Sequence, residues 1–195
     1  MMARDLTRLP DDLPVPVDDG AADHLTGMPL PAVALVSTDG QRVALDALAA
    51  GRTVIYAYPR TGGPDGAVPD GWDQIPGARG CTPEACAFRD HHADLIAAGA
   101  RAVFGLSTQN TGYQLEAVAR LHLPFAMLSD ESFALTGALG LPTFEAGGLT
   151  LLRRLTMIVR DGVVEKVFYP VFPPDTHASE VLRWLRTAPL RTDPR

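Results

Sequence analysis

Two cysteines, Cys81 and Cys86, are the only ones in the chain, and they stand five positions apart at the predicted start of a helix. Between them, Thr82 followed by Pro83 is typical of a helix N-terminus, because a hydroxyl accepts from free amides there and proline lacks the N–H that would go unpaired. Apolar residues then recur at helical spacing as far as Gly99, which is expected to end the helix. The chain is therefore predicted to place a cysteine at the N-terminus of a long helix.

A cysteine in that position is a candidate nucleophile or redox centre, because free amides and the helix dipole favour the thiolate of Cys81 over the thiol. Two residues five apart in an α-helix have Cα atoms roughly 8–9 Å apart, beyond the ~7 Å limit for an unstrained disulfide. If Cys81 and Cys86 form a bond, the first turns of the helix must unwind. Two thiols alone make a poor metal site, so no metal is expected. The plainer alternative is that both cysteines are small buried apolar residues.

Short β-branched or aromatic runs alternate with helical patterns through the rest of the chain. The predicted strands are 53–58, 102–106 and 125–128, the predicted helices lie near 113–122, 132–139 and 181–185, and the predicted hairpins are 32–45 and 155–168. Strand–helix alternation implies a parallel sheet with helices on its faces. The sequence therefore predicts an α/β, thioredoxin-like fold with a central mixed β-sheet flanked by helices and an N-terminal β-hairpin.

The 195 residues are expected to form one domain, 24–188, with an N-terminal arm or tail at 1–23 and a C-terminal tail at 189–195. Within the domain, nine of the twenty residues in 61–80 are Gly or Pro, which predicts a long loop. The net charge of −6 argues against nucleic acid and anionic lipid as partners. The acidic, proline-rich start does not have the pattern of a secretory signal, and a cytoplasmic protein without membrane spans is expected.

The two-cysteine segment also carries a family resemblance. It has the pattern Gly80-Cys81-Thr82-x-Glu84-Ala85-Cys86-x-Phe88-Arg89-Asp90, and weaker matches follow in family order at 106–108, 128–130, 154–156 and 161–162. This pattern resembles the peroxiredoxins of the AhpC/TSA superfamily, specifically the bacterioferritin-comigratory-protein (PrxQ) type. The resemblance extends over roughly residues 26–187.

The resemblance implies a role for each matched residue. Cys81 matches the peroxidatic cysteine, Cys86 the resolving cysteine, Glu84 a glutamate that orders the site, and Arg154 an arginine that stabilises the thiolate and the peroxide. Pro59 matches the proline that begins the family's active-site motif. The implied enzyme reduces hydrogen peroxide or organic hydroperoxides, forms an intramolecular disulfide and is recycled by a thioredoxin-like or other dithiol reductant. It uses no cofactor. The surface composition of this chain is compatible with a monomer or a homodimer.

The chain departs from the family pattern between the proline and the cysteine. Cys81 follows Pro59 by 22 positions, where the family motif has seven, and Ala78 replaces a hydroxyl residue three positions before the cysteine. Thr61 and Thr82 are the candidates for supplying the missing hydroxyl. The inserted loop is expected to form a lid or wall over Cys81. Arg154 is preferred to its neighbour as the site arginine only because of its register with Thr156.

Three alternatives stay open at this level. One is a thiol-disulfide oxidoreductase on the same fold, although the usual Cys-x-x-Cys motif is absent. Another is a copper-binding or redox-sensing module, which a third soft ligand would favour. The last is a peroxiredoxin-like domain in which Ala78 and the insertion have abolished activity.

Overall fold

The computed structural model describes residue 6, residues 8–63 and residues 66–188. The strands are β1 (Ala34–Ser37), β2 (Arg42–Ala44), β3 (Arg52–Ala57), β4 (Ala100–Ser107), β5 (Met127–Ser129), β6 (Thr143–Ala146), β7 (Leu149–Leu152), β8 (Leu155–Arg160) and β9 (Val163–Phe168). Seven of them form one mixed sheet in the order β2-β1-β5-β4-β3-β8-β9, and β6 pairs with β7 in a separate hairpin. The predicted N-terminal hairpin, β1–β2, is confirmed as one edge of the large sheet.

Strand β3 runs through the interior of the sheet and is buried along its whole length. It pairs in parallel with β4 on one side and antiparallel with β8 on the other. Its β-branched and aromatic residues suit this position because they pack well on a pleated surface covered on both faces. Proline cannot continue the ladder, so Pro59, buried two residues after the strand, begins a loop at the carboxyl end of β3.

The helices are α1 (Cys81–Asp90), α2 (His92–Ala97), α3 (Thr111–Leu121), α4 (Ala134–Leu139) and α5 (His177–Thr187). Helices α1, α2, α3 and α5 share one apolar core with residues of β3 and β4. Helix α4 and a set of N-terminal leucines share a second core with other residues of the sheet. The predicted central mixed sheet with flanking helices is therefore confirmed.

Helix α1 begins slightly earlier than the sequence predicts. Gly80, not Thr82, occupies the N-cap position, and Cys81 is the first helical residue, with no side-chain cap. Gly80 has a φ of 110°, a conformation that favours glycine, and a Cβ on it would lie 2.3 Å from Cγ of Pro174. The start of the helix is thus set by a close approach of the chain rather than by a hydroxyl cap.

The predicted single helix ending at Gly99 is two helices. The break falls at His91, which has φ −96° and ψ 1° and whose Nδ1 lies 2.9 Å from the carbonyl oxygen of Ala87. The imidazole satisfies a carbonyl at the end of α1, as polar side chains commonly do at helix C-termini.

The described part of the predicted N-terminal arm packs against the inserted loop. The arm's Leu6, Leu9 and Pro16 lie near the loop's glycines 62, 80 and 77, respectively. The predicted C-terminal tail, 189–195, and residues 64–65 of the loop lie outside the described residues. None of the described helices has the length and apolar character needed to cross a membrane.

Candidate active site

Cys81 is the first residue of α1 and is 3% exposed. Its Sγ lies 3.2 Å from Nη2 of Arg154 and 3.6 Å from the carbonyl oxygen of Ala78. A guanidinium that donates directly to the sulfur stabilises a thiolate and does not titrate near neutral pH. The structure therefore brings together Cys81 and Arg154, which are far apart in the sequence.

Arg154 precedes β8, and acceptors surround both terminal nitrogens of its guanidinium, while its buried Nε has no hydrogen-bond partner among the described residues. Its Nη1 forms an ion pair with Oε2 of Glu84. Its Nη2 lies 3.2–3.3 Å from the carbonyl oxygens of three successive residues, 77–79, which share its two hydrogens with the Cys81 sulfur. Those carbonyls belong to the end of the inserted loop, so the insertion helps to fix the guanidinium against Cys81.

The neighbouring Arg153 has a different environment. Its side chain is 42% exposed, pairs with Asp19 at 3.4 Å and donates from Nε to the carbonyl oxygen of Thr143. These two contacts join Arg153 to the arm and to the β6–β7 hairpin. Of the two arginines, Arg154 is the one in contact with Cys81, as its register with Thr156 predicts.

On the other side of the sulfur, the loop that follows β3 contributes a backbone donor. The backbone amide of Arg60 lowers the pKa of the Cys81 thiol, and Arg60 and Cys81 line the same small cavity. Pro59 lies one residue earlier and helps to set this turn by ending the strand. The hydroxyl of Thr61 donates to Oε1 of Gln109, so it is engaged elsewhere and does not replace the hydroxyl missing at Ala78. Thr82 lines the small cavity at Cys81.

This cavity has a volume of about 10 Å³, room for about one water molecule. Leu6 of the arm and Gly62, Val68 and Trp72 of the inserted loop line it, together with Arg60 and residues 79–82. The space beside the sulfur is therefore narrow, and the arm and the inserted loop both contribute to its walls.

Burial and hydrogen bonding act in opposite directions on the titratable groups here. Burial raises the pKa of the Cys81 thiol, while Arg154 and the Arg60 amide lower it and Glu84 raises it. The net direction is upward in this closed arrangement, although the helix N-terminus predicts a favoured thiolate. Burial also raises the pKa of Glu84, against the opposing charge of Arg154.

Cys86 lies one and a half turns further along α1 and is partly exposed, and neither cysteine is in a disulfide. Burial raises the pKa of its thiol, and the charges of Arg89 and Arg120 lower it. Cys86 and Cys81 stand in an intact helix, so the predicted unwinding is a requirement for any bond between them. Among the described residues, no cluster of three or more His, Cys, Asp or Glu could hold a metal ion.

The structure brings Cys81, Glu84 and Arg154, which the motif indicates, into one contact group. The motif does not indicate the Arg60 amide or the carbonyls of 77–79, because backbone donors and acceptors leave no mark in the sequence. It does not indicate Gln109 either. The one available signal for Gln109 is its place just after β4, whose carboxyl end meets that of the parallel β3 at the same edge of the sheet.

Comparison with known proteins gives one consistent family. The Redoxin family model matches residues 25–183. Chloroplastic peroxiredoxin Q from Suaeda salsa is 32% identical over 157 residues, which cover 80% of this chain and 65% of that protein. The same protein from Sedum lineare is 32% identical over 158 residues, covering 80% of this chain and 75% of the relative. The chain thus spans just under two thirds of the length of several of these relatives.

Solved structures share the fold. Peroxidoxin BcpB from Mycobacterium tuberculosis superposes with a TM-score of 0.66 at 24% identity, covering 84% of this chain and 97% of that chain. Peroxiredoxin Q from Xanthomonas campestris gives a TM-score of 0.63 at 22% identity, covering 91% and 98%. These likenesses confirm the predicted thioredoxin-like architecture.

Proposed function

This chain belongs to the Redoxin family and, within it, to the peroxiredoxins of the Q type, and from that premise we propose that it is a thiol peroxidase with Cys81 as its nucleophile. The observation that carries the proposal is the contact between Nη2 of Arg154 and Sγ of Cys81, 3.2 Å apart in a buried site. A sulfur held by a fixed guanidinium is suited to attack a polarised O–O bond. The substrate is a hydroperoxide, either hydrogen peroxide or an organic one.

In the first step, the Cys81 thiolate attacks the terminal oxygen of the hydroperoxide. The S–O bond forms as the O–O bond breaks, and the leaving oxygen departs as water or an alcohol after it gains a proton. Arg154 and the Arg60 amide stabilise the thiolate, and Glu84 holds the guanidinium in place. The sulfur is oxidised to a sulfenic acid, and the peroxide is reduced.

In the second step, the Cys86 thiolate attacks the sulfenic sulfur. The S–S bond forms, the S–O bond breaks, and the hydroxide takes a proton and leaves as water. This step needs the first turns of α1 to unwind, because the two Cα atoms are too far apart in an α-helix. A thioredoxin-like or other dithiol then reduces the disulfide and is itself oxidised.

The inserted loop, 61–80, acts in this scheme as a wall over the cysteine. Val68 and Trp72 line the cavity at Cys81, and Trp72 is anchored in a small core that includes Leu151. Shortening the loop between residues 66 and 74, with 77–79 kept to hold Arg154, is expected to change the preference between hydrogen peroxide and organic hydroperoxides. Unchanged kinetics with both would contradict this role.

The test is peroxide consumption by the wild-type protein, Cys81→Ser and Cys86→Ser, with dithiothreitol as the reductant. The wild type is expected to turn over and Cys81→Ser to be inactive. Pre-reduced Cys86→Ser, freed of dithiothreitol and then mixed with peroxide, is expected to retain its first oxidation and accumulate a sulfenic acid that dimedone traps. A wild type no faster than free cysteine would instead favour a domain that keeps the fold and has lost the chemistry. Equal activity of Cys81→Ser and the wild type would contradict the assigned nucleophile.

A further inference from the structure

The turn after β3 is clamped by one side chain from a distant part of the chain. Oε1 of Gln109 accepts from the N–H of Thr61 at 3.0 Å and from its hydroxyl at 3.2 Å. Nε2 of Gln109 donates to the carbonyl oxygen of Thr61 at 3.3 Å. A single amide thus satisfies both backbone polar groups of one residue, as a neighbouring strand would.

Gln109 and Thr61 are both buried, and Gln109 is bonded to the sheet. Gln109 is 5% exposed and Thr61 is 1% exposed. The backbone N–H of Gln109 donates to Oγ of Ser107 at 3.2 Å, and its carbonyl oxygen accepts from Oγ of Ser129 at 2.8 Å. Gln109 is therefore tied to the carboxyl ends of β4 and β5, and it connects the sheet to the turn at Thr61.

The residue just before Thr61 borders the sulfur. Arg60 and Cys81 line the same cavity, and the Arg60 amide lowers the pKa of the Cys81 thiol. The Arg60 nitrogen is three bonds from the Thr61 nitrogen that Gln109 holds, so the clamp restricts the direction of the Arg60 N–H. We propose that Gln109 is a positioning residue that holds the Arg60 amide against the Cys81 sulfur.

This role explains which donor takes the place of the hydroxyl that is missing at Ala78. The side chain there is a buried methyl group, and the hydroxyl of Thr61 is occupied by the clamp. The Arg60 amide is then the donor that supplements Arg154 at the sulfur. A backbone donor has no side chain to fix it, so a buried residue elsewhere must do so. This inference rests on the proposed function in one respect, the role of Cys81 as the nucleophile.

The experiment measures the pH dependence of Cys81 alkylation by iodoacetamide, with Cys86→Ser in every protein so that one thiol reacts. In Gln109→Met, which keeps the volume and removes all three hydrogen bonds, the midpoint is expected to move to higher pH. The rate constant at pH 7 is expected to fall about tenfold, the loss typical of one hydrogen bond to a charged group. Well above the midpoint the rate is expected to recover, which mere loosening of the site would not produce.

Two matched variants separate the clamp from general destabilisation. Thr61→Val removes only the hydroxyl and keeps both backbone hydrogen bonds, so a much smaller shift of the midpoint is expected. Arg52→Met removes a buried polar side chain at the far end of β3, which bonds to Glu165 and Ala188 and shares no partner with Gln109. It is expected to lower the melting temperature without moving the midpoint.

An unchanged midpoint in Gln109→Met, or an equal shift in Arg52→Met, would overturn the proposal. If Gln109→Met does not fold, Gln109→Asn provides the test, since its amide is one methylene too short to reach Thr61. Because alkylation needs no peroxide, a failure here is distinct from a failure of the peroxidase function, which the turnover assay reports.

Discussion

At the scale of single residues, the site depends on one guanidinium that contacts five groups. Arg154 contacts the Cys81 sulfur, the Glu84 carboxylate and three backbone carbonyls. The planar fork of arginine presents one terminal nitrogen to the carboxylate and the other to the sulfur and the carbonyls, whereas the single ammonium group of lysine cannot reach both sets. Shape as well as charge is therefore required at this position.

Arg154→Lys is expected to lower the rate constant for the first oxidation of Cys81 about 10²–10³-fold, the usual cost of losing a fixed donor at a reacting centre. Arg153→Lys is the matched control, because that side chain is 42% exposed and bonds to Asp19 and Thr143. Stopped-flow fluorescence of pre-reduced protein mixed with hydrogen peroxide measures both. An equal loss in the two variants would contradict the assignment of Arg154.

The sequence predicts one part of this site, and the other part cannot be predicted from it for a physical reason. Cys81, Glu84 and Arg154 act through their side chains, so their types and spacing are visible. The Arg60 amide acts through the backbone, which every residue has. Gln109 acts across a separation of 48 residues along the chain, which only the pairing of β3 with β4 makes short.

At the scale of elements, the N-terminal arm and the inserted loop together close the site. Leu6 lines the cavity at Cys81, a Cβ on Gly80 would lie 3.0 Å from Cδ2 of Leu9, and the carbonyl oxygen of Arg8 accepts from Arg79 at 3.2 Å. Burial is the largest contribution that raises the pKa of Cys81. Opening this cover would therefore both admit the substrate and favour the thiolate.

Deleting residues 1–13 is expected to increase the alkylation rate of Cys81 at pH 7 and to move the pH midpoint of the reaction downward. The sign follows because burial raises the pKa, so a less buried thiol ionises at lower pH. Val15→Ala on the same arm is the control, since Val15 is 62% exposed. If the deletion leaves the alkylation profile unchanged, the arm is not part of the cover.

The elements differ in how far the sequence predicts them. The hairpins at Asp39-Gly40 and Asp161-Gly162 are predicted because those pairs favour the turns that join antiparallel strands. The β6–β7 hairpin is not predicted, although Gly147-Gly148 at its turn, with φ of 57° and 73°, carries a similar signal. The break at His91 is hidden because the apolar spacing continues through it.

At the scale of the whole molecule, the end of the sheet opposite to the site is held by a second buried arginine. Arg52 at the start of β3 is 1% exposed, and its guanidinium donates to both carboxylate oxygens of Glu165 at 2.7 and 2.8 Å. It also lies over the ring of Trp184 and donates to the carbonyl oxygen of Ala188. One side chain thus connects β3, β9 and the C-terminal helix.

Arg52→Met is expected to lower the free energy of unfolding by about 2–3 kcal/mol, because it removes the 2.7 Å ion pair of the half-buried Glu165 and leaves its 3.8 Å contact with Arg160. Strand β3 separates Arg52 from the active site by about 20 Å, so the oxidation rate of Cys81 is expected to stay the same. Urea unfolding measures the first effect. Arg186→Met, at a 60% exposed side chain, is the control and is expected to change stability by less than about 0.5 kcal/mol. Equal effects in the two variants would contradict this account.

The central claim is that Cys81 is oxidised by peroxide and then bonded to Cys86. It is tested most directly by adding one equivalent of hydrogen peroxide to the pre-reduced protein and then counting free thiols and mapping the disulfide by mass spectrometry. The account predicts rapid loss of both thiols, a Cys81–Cys86 bond within one chain, and reduced amide protection in the first turns of α1. Two free thiols after the reaction, or oxidation of Cys86 with Cys81 intact, would contradict it.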